Sequence, residues 1–319
     1  MDNILFLLSF VMLFFGGEFL VKSSVSLALR MRISTLVVGM TVVSFATSAP
    51  ELFVSVTSAL DGITDITFGN VIGSNIANIT LVLGLTSLIF QIRITEQTYN
   101  LNYPVMLLTC VLLGVALFFF KGIDIWGGGI FVFVLILFTF TLIKRSRDDN
   151  KKLSKEEKKE YEKATNTSLI LSIFYMIIGI LLLAFGSDLL VNGVQNIAES
   201  FNISERVISV SLVALGTSIP ELATSIVAAF RKEANLAVGN LIGSNIFNVL
   251  AVLGITSIIT PVHLKDMSII DDYLWMMSTI LLLGVYIYIL SRKVLTRIEG
   301  FYMISFYVVF MFFLVTDYI

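Results

Sequence analysis

Ten apolar runs, each close to the length a helix needs to cross a bilayer, take up most of the chain: residues 3–22, 35–60, 68–90, 101–120, 124–143, 168–191, 205–230, 236–260, 272–290 and 300–316. About 20 apolar residues span the hydrocarbon core as a helix. Inside that core every backbone N–H and C=O must be satisfied within the spanning structure, which favours helices over open strands. The chain is 57% hydrophobic and 14% charged, whereas soluble domains carry roughly 45–50% apolar and about 25% charged residues. A water-soluble enzyme is thereby excluded. The formal charge of −2 gives nucleic acid nothing to bind, the single Cys110 cannot close an internal disulfide, and a lone His263 cannot build a histidine-rich metal centre. The opening MDNILFLLSFVMLFFGGEFLV lacks a basic start and a small-residue cleavage signal, and is expected to be the first membrane helix, not a removable leader.

Basic residues in short loops collect on the cytoplasmic side. Alternate connections hold Lys22, Arg30 and Arg32, then Arg93, then nine Lys and Arg between Lys144 and Lys163, then Arg231 and Lys232, then Arg292, Lys293 and Arg297. The opposite set holds only Lys121, Arg206 and Lys265 of the 21 Lys and Arg in the chain. Both termini are therefore expected outside the cytoplasm, in a multi-pass protein of the plasma or inner membrane. The stretch 144–167 reads as a charged cytoplasmic linker between a first unit, 1–143, and a second, 168–319; lipid headgroups are a sharper alternative partner for its basic residues. Apart from the bilayer, no obligate protein partner is expected.

The sequence repeats itself. TVVSFATSAPELFVSVTSA (41–59) matches SLVALGTSIPELATSIVAA (211–229), and GNVIGSNIANITLVLGLTSLI (69–89) matches GNLIGSNIFNVLAVLGITSII (239–259), each pair 170 residues apart without a gap. The motif regions thus cover 41–89 and 211–259, and GGEFLV (16–21) parallels GSDLLV (186–191) upstream. Five spans fall in each half, and an odd number reverses the second half in the membrane. The expected fold is an all-α integral membrane protein of ten transmembrane helices in two inverted five-helix repeats, an architecture that places a transporter's site near the midplane where the halves meet.

Charged side chains at a helix centre are costly, about 2.5–3.5 kcal/mol on insertion scales, and mark function. Of the acidic residues only Glu51 and Glu221 fall deep within spans, and they are repeat mates. Thr47 and Ser48 precede Glu51 by four and three residues, on its face; Thr217 and Ser218 do the same for Glu221. Ser74 and Asn78 are four apart in the next span, as are Ser244 and Asn248. Carboxylates, amides and hydroxyls are oxygen donors, suited to hard cations; calcium takes six to eight of them at about 2.3–2.6 Å. Pro50 and Pro220 precede the glutamates and should free the carbonyls of Ala46 and Gly216 as further ligands. Gly69, Gly73, Gly239 and Gly243 suit close helix approach, and Asn75 and Asn245 suit interhelical hydrogen bonding.

At TSAPE (47–51) with GNVIGSNIAN (69–78), and at TSIPE (217–221) with GNLIGSNIFN (239–248), the chain resembles the sodium/calcium exchanger family of the cation/calcium antiporters, in a prokaryotic form. That resemblance implies that Glu51 and Glu221 are the charged calcium ligands. It implies too that Thr47, Ser48, Thr217, Ser218, Ser74, Ser244, Asn78 and Asn248 complete the calcium and sodium sites, with backbone oxygens near Ser44 and Ala214. The first and sixth spans would slide to expose the site to either side. Potassium-dependent members carry Asp where this chain has Asn248, so potassium co-transport is not expected. Proton-coupled exchangers carry a Gly-Asn-x-x-Glu pattern, whereas Ser-x-Pro-Glu precedes both glutamates here, favouring sodium.

The expected function is secondary antiport of sodium against calcium by alternating access, with no cofactor. Two ionised glutamates are neutralised by one calcium ion or by sodium ions in its place, and a charged empty site resists occlusion. Alternatives are a calcium/proton exchanger on the same glutamates and, with less support, a passive cation channel; an intramembrane enzyme lacks an HExxH motif and an evident general base. Reporter fusions check the orientation: a periplasmic-active reporter at either terminus is expected to be active, and one inserted between 151 and 167 inactive.

Overall fold

The computed structural model describes residues 2–151, 168–200, 216–290 and 294–316, and these are mostly helical. In chain order the helices are α1 (Asp2–Met31), α2 (Thr35–Thr47), α3 (Ala49–Leu60), α4 (Thr64–Ile89), α5 (Thr98–Phe120), α6 (Ile125–Lys151), α7 (Leu169–Ser200), α8 (Ile219–Phe230), α9 (Ala234–Ile259), α10 (Ser268–Leu290) and α11 (Arg297–Thr316). Among the described residues eight helices are long and apolar enough to cross a membrane, or nine if the bent pair α2–α3 is one span. Their outward faces carry large apolar side chains such as Phe119, Trp126 and Ile170, as lipid contact requires.

The structure departs from the sequence expectation in several places. The first span continues to Met31, carrying Lys22 and Arg30 along the helix, since long basic side chains can lay their stems on apolar surface and keep the charge wet. The run 35–60 is not one helix: α2 and α3 meet at Ser48 with a bend of 43°. Two short antiparallel pairings join segments the sequence leaves as loops: β1 (Ile92–Arg93) with β4 (Val294–Leu295), and β2 (Gly122–Ile123) with β3 (Val262–His263). Residues 205–215 of the expected seventh span, Ala214 with them, and most of the 144–167 linker lie outside the described residues.

Helices α4 and α9 form the centre, 78% and 83% buried in their apolar stretches, against 22% for α6, α7 and α11. They are the repeat-mate helices that carry the GN…GSN motifs, so the most polar spans are also the most enclosed. Small residues allow this. A Cβ on Gly39 of α2 would lie 2.6 Å from the Leu236 carbonyl oxygen of α9, and one on Gly239 of α9 would lie 2.3 Å from that of Leu36. Gly243 is similarly tight against Ser44 and Met40, whereas a Cβ on Gly69 meets nothing within 4 Å, so close approach is not what a glycine at 69 provides.

A second contact recurs with the halves exchanged. Tyr103 Oη on α5 donates to the Ile280 carbonyl on α10 at 2.9 Å, and its repeat mate Tyr273 donates to the Cys110 carbonyl on α5 at 3.2 Å. Each ring fills the space over the other helix's glycine, Gly284 and Gly114. The connections at 61–66, 121–124 and 260–268, assigned by charge to one side, touch one another: Thr64 Oγ1 donates to the His263 carbonyl at 2.6 Å, Lys265 N to Asp65 Oδ1 at 3.0 Å, and Leu264 N to the Lys121 carbonyl at 2.9 Å.

Helices α1 and α7 run antiparallel, Phe6 against Gly193, Gly16 against Gly179 and Leu183, and Ser26 bonded to Ser172 at 2.9 Å. Gly239→Ala is expected to destabilise the protein by about 1–3 kcal/mol through overpacking, seen as a lower melting temperature in detergent. Gly69→Ala, with open space for its methyl, is expected to leave it unchanged or higher.

Candidate functional site

The two prolines set the site's geometry. Pro50 and Pro220 lack an N–H and crowd the carbonyl four residues back, so a preceding helix cannot run through them unbroken. The chain leaves the helix just before them, with Ser48 at φ −83°, ψ 8° and Ser218 at φ −86°, ψ 0°. New helices begin with Pro in the first turn, where its missing donor is unneeded. Glu51 and Glu221 thereby stand in the first turns of α3 and α8, the end of a helix whose unpaired N–H groups and dipole favour negative charge.

Both glutamates are wholly buried, at 0% exposure, and lie within electrostatic reach of each other. Glu221 Oε1 accepts from Ser48 Oγ at 3.4 Å and Ser244 Oγ at 3.3 Å. Thr217 and Ser74 stand beside Glu51; they bond each other at 3.0 Å. Around the other glutamate, their mates Thr47 and Ser244 are 3.5 Å apart. Both oxygens of Glu51 and Oε2 of Glu221 have no hydrogen-bond donor among the described residues.

The structure thus brings together Glu51, Glu221, Thr47, Ser48, Thr217, Ser74 and Ser244, with Ser218 adjoining at the helix break. Asn78 and Asn248 are fully buried on the same central helices. Asn78 makes no side-chain hydrogen bond among the described residues, and Asn248 Nδ2 donates to Asn75 Oδ1 at 3.1 Å, leaving its own Oδ1 unpaired. Asn75 also donates to the Asn245 carbonyl at 3.3 Å, the interhelical role expected of it. Among the described residues no three His, Cys, Asp or Glu side chains converge, so a cation here would draw most of its oxygens from hydroxyls, amides and backbone.

Asn70 and Asn240 belong to the cluster although sequence reasoning passed over them. Asn70 Nδ2 donates to the Glu51 carbonyl at 3.1 Å and to Ser55 Oγ at 3.0 Å, while its Oδ1 accepts from Thr217 at 3.5 Å. Asn240 Oδ1 accepts from Thr47 at 3.2 Å, the same contact with halves exchanged. Their signal was the repeated Gly-Asn pair at 69–70 and 239–240. A second unforeseen feature is a π-turn in each central helix, Ala77–Leu83 and Asn248–Leu253. Such wide turns recur at functional sites, and these begin at Ala77, next to Asn78, and at Asn248.

The backbone oxygens expected near Ser44 can be placed, whereas Ala214 lies outside the described residues. The Ser44 carbonyl accepts from Ser48 N at 2.9 Å and keeps a second lone pair, and Ser44 Oγ donates to the Gly39 and Asn240 carbonyls. Of the carbonyls freed by proline, that of Gly216 receives Ser187 Oγ from α7 at 2.7 Å. A cavity of about 760 Å³ reaches the site from one side, lined by Thr47, Pro50, Thr217 and Pro220 and, along α7, by Ser187, Asp188, Asn192 and Gln195.

The chain matches the family model described as sodium/calcium exchanger protein over residues 3–144 and 171–316. It is 32% identical over 274 residues to the inner membrane protein YrbG of Escherichia coli K12, covering 84% of this chain and 83% of that one. To the sodium/calcium exchanger MaX1 of Methanosarcina acetivorans it is 28% identical, covering 97% of both. The solved structure of the sodium-calcium exchanger NCX_Mj superposes with a TM-score of 0.80 at 28% identity, over 97% of this chain and 96% of that one.

Asn70→Ala removes donors to two partners and an acceptor from a third. It is expected to lower stability by about 1–3 kcal/mol, the cost of stranding buried polar groups, measured as a melting-temperature shift with and without calcium.

Proposed function

The chain belongs to the sodium/calcium exchanger family and is a multi-pass membrane antiporter of the cation/calcium type, not an enzyme; from that premise we propose that it exchanges sodium for calcium at a site built on Glu51 and Glu221. The observation that carries this reading is the pair of fully buried, mutually close carboxylates, three of whose four oxygens find no donor among the described residues. Burying an ionised carboxylate without a partner is prohibitive. A bound cation supplies the missing charge, and hydroxyls of Thr47, Ser48, Thr217, Ser218, Ser74 and Ser244 with the amides of Asn78 and Asn248 complete an oxygen cage. One calcium ion cancels the two negative charges, and sodium ions in the same cage do so as well, so the two cargoes compete.

The wider architecture follows from the sequence repeat and the charge distribution. In this reading, ten helices form two inverted five-helix repeats, 1–143 and 168–319, in the cell membrane, with both termini outside and 144–167 in the cytoplasm. Helices α1 and α7 move across the site. The helix break at Ser48–Pro50 supports a site at membrane depth, since irregular backbone there persists where it is buried or lines a cavity.

In proteoliposomes, an outward sodium gradient is expected to drive calcium uptake, and a pH gradient alone is not. Glu51→Gln and Glu221→Gln are each expected to abolish that uptake, a loss of at least about a hundredfold, while eluting as folded protein in detergent. Uptake that ignores sodium refutes the coupling, and wild-type flux in either variant refutes the site.

A further inference from the structure

Glu18 of α1 and Arg231, at the end of α8, form an ion pair through both guanidinium Nε (2.7 Å) and an Nη. Its Arg231 end lies away from the cavity: Pro220, in the first turn of α8, lines the cavity and Arg231 caps the helix's other end, while Leu20 of α1 reaches the cavity wall beside the pair. Next to the pair, Gly17 packs against Val227 and Ala223 of α8, where an added Cβ would sit 3.0 Å from Val227 Cγ2. Helix α1 is closed down on the second half at this end.

The repeat mates do the opposite. Ser187, the mate of Gly17, lines the cavity together with Phe53, the mate of Ala223, so α7 stands off from the first half where α1 does not. The mates of Glu18 and Arg231 are Asp188 and Asp61, two acids. Sliding α1 and α7 to the mirrored arrangement would break a cation–carboxylate pair at one end and bring two carboxylates together at the other. It would also replace a glycine-on-alanine contact by serine on phenylalanine.

We propose that Glu18 and Arg231 act as a one-sided latch, which holds the end opposite the cavity shut and makes the two access states of the exchanger unequal, because the mate positions cannot form the same pair. The proposal rests on the alternating-access reading but not on which ions are exchanged, so a failure of sodium coupling leaves its test intact.

Val21 of α1 is buried, and its mate Val191 lines the cavity; Val21 should therefore become accessible only in the mirrored state. In the full-length protein with Cys110→Ala, labelling of a Val21→Cys probe by a permeant maleimide in proteoliposomes reports how often that state is visited. Arg231→Gln and Glu18→Gln are each expected to raise the labelling rate about two- to fivefold, the range of a partly exposed ion pair. The reversed pair, Glu18→Arg with Arg231→Glu, returns it toward the parent value. Asp61→Arg, which keeps the latch and offers Asp188 a partner, is expected to raise the rate also. Labelling unchanged in both Gln variants overturns the proposal. So does a reversed pair that labels as fast as the single variants, or an Asp61→Arg protein that labels at the parent rate.

Discussion

Two carboxylates sharing one enclosed space inside an apolar body are the constraint around which this molecule is arranged. Their repulsion and their lost hydration both oppose folding, and the surrounding design answers each. The chain breaks at Ser48 and Ser218 so that each glutamate starts a helix, facing the favourable end of that helix's dipole. Hydroxyls from the opposite half face each acid: Ser48 Oγ donates to Glu221, and Thr217 stands beside Glu51. The two most enclosed helices, α4 and α9, carry the cluster's amides with Ser74 and Ser244, and α9 reaches that depth because Gly39, Gly239 and Gly243 let its backbone meet that of α2 almost in contact.

Much of this was legible in the chain itself. Spans could be placed because a bilayer imposes a length and a polarity on every crossing segment, and nine of the ten expected runs have helices over them, the remaining one being described only from residue 216. The glutamates stood out because acids are rare at such depth, and the exchanged contacts of Thr47 with Asn240 and Thr217 with Asn70 follow the 170-residue spacing.

What escaped detection was local geometry that periodicity does not encode. A run such as 35–60 has continuous hydropathy, so the bend at Ser48 is visible only through the stereochemistry of the following proline. The π-turns beginning at Ala77 and Asn248 leave no compositional mark. Proline identified Gly216 as a free carbonyl, yet the hydroxyl that claims it, Ser187, comes from a helix 29 residues away in sequence. Asn70 and Asn240 were overshadowed by the glutamates because their importance lies in bonds to backbone and to threonine, which no spacing announces. The two-residue strand pairings join distant loops and are equally silent in the chain.

The crossed tyrosines carry a consequence of their own. Tyr103 caps a carbonyl of the second half over Gly284, while Tyr273 caps one of the first half over Gly114. Each half therefore carries one plug and one socket, and each plug is seated in the other half's socket. Two copies of a single shorter polypeptide, related by a dyad, would make this exchange with one tyrosine and one glycine apiece. Within one chain the same handshake leaves each hand free to differ in sequence.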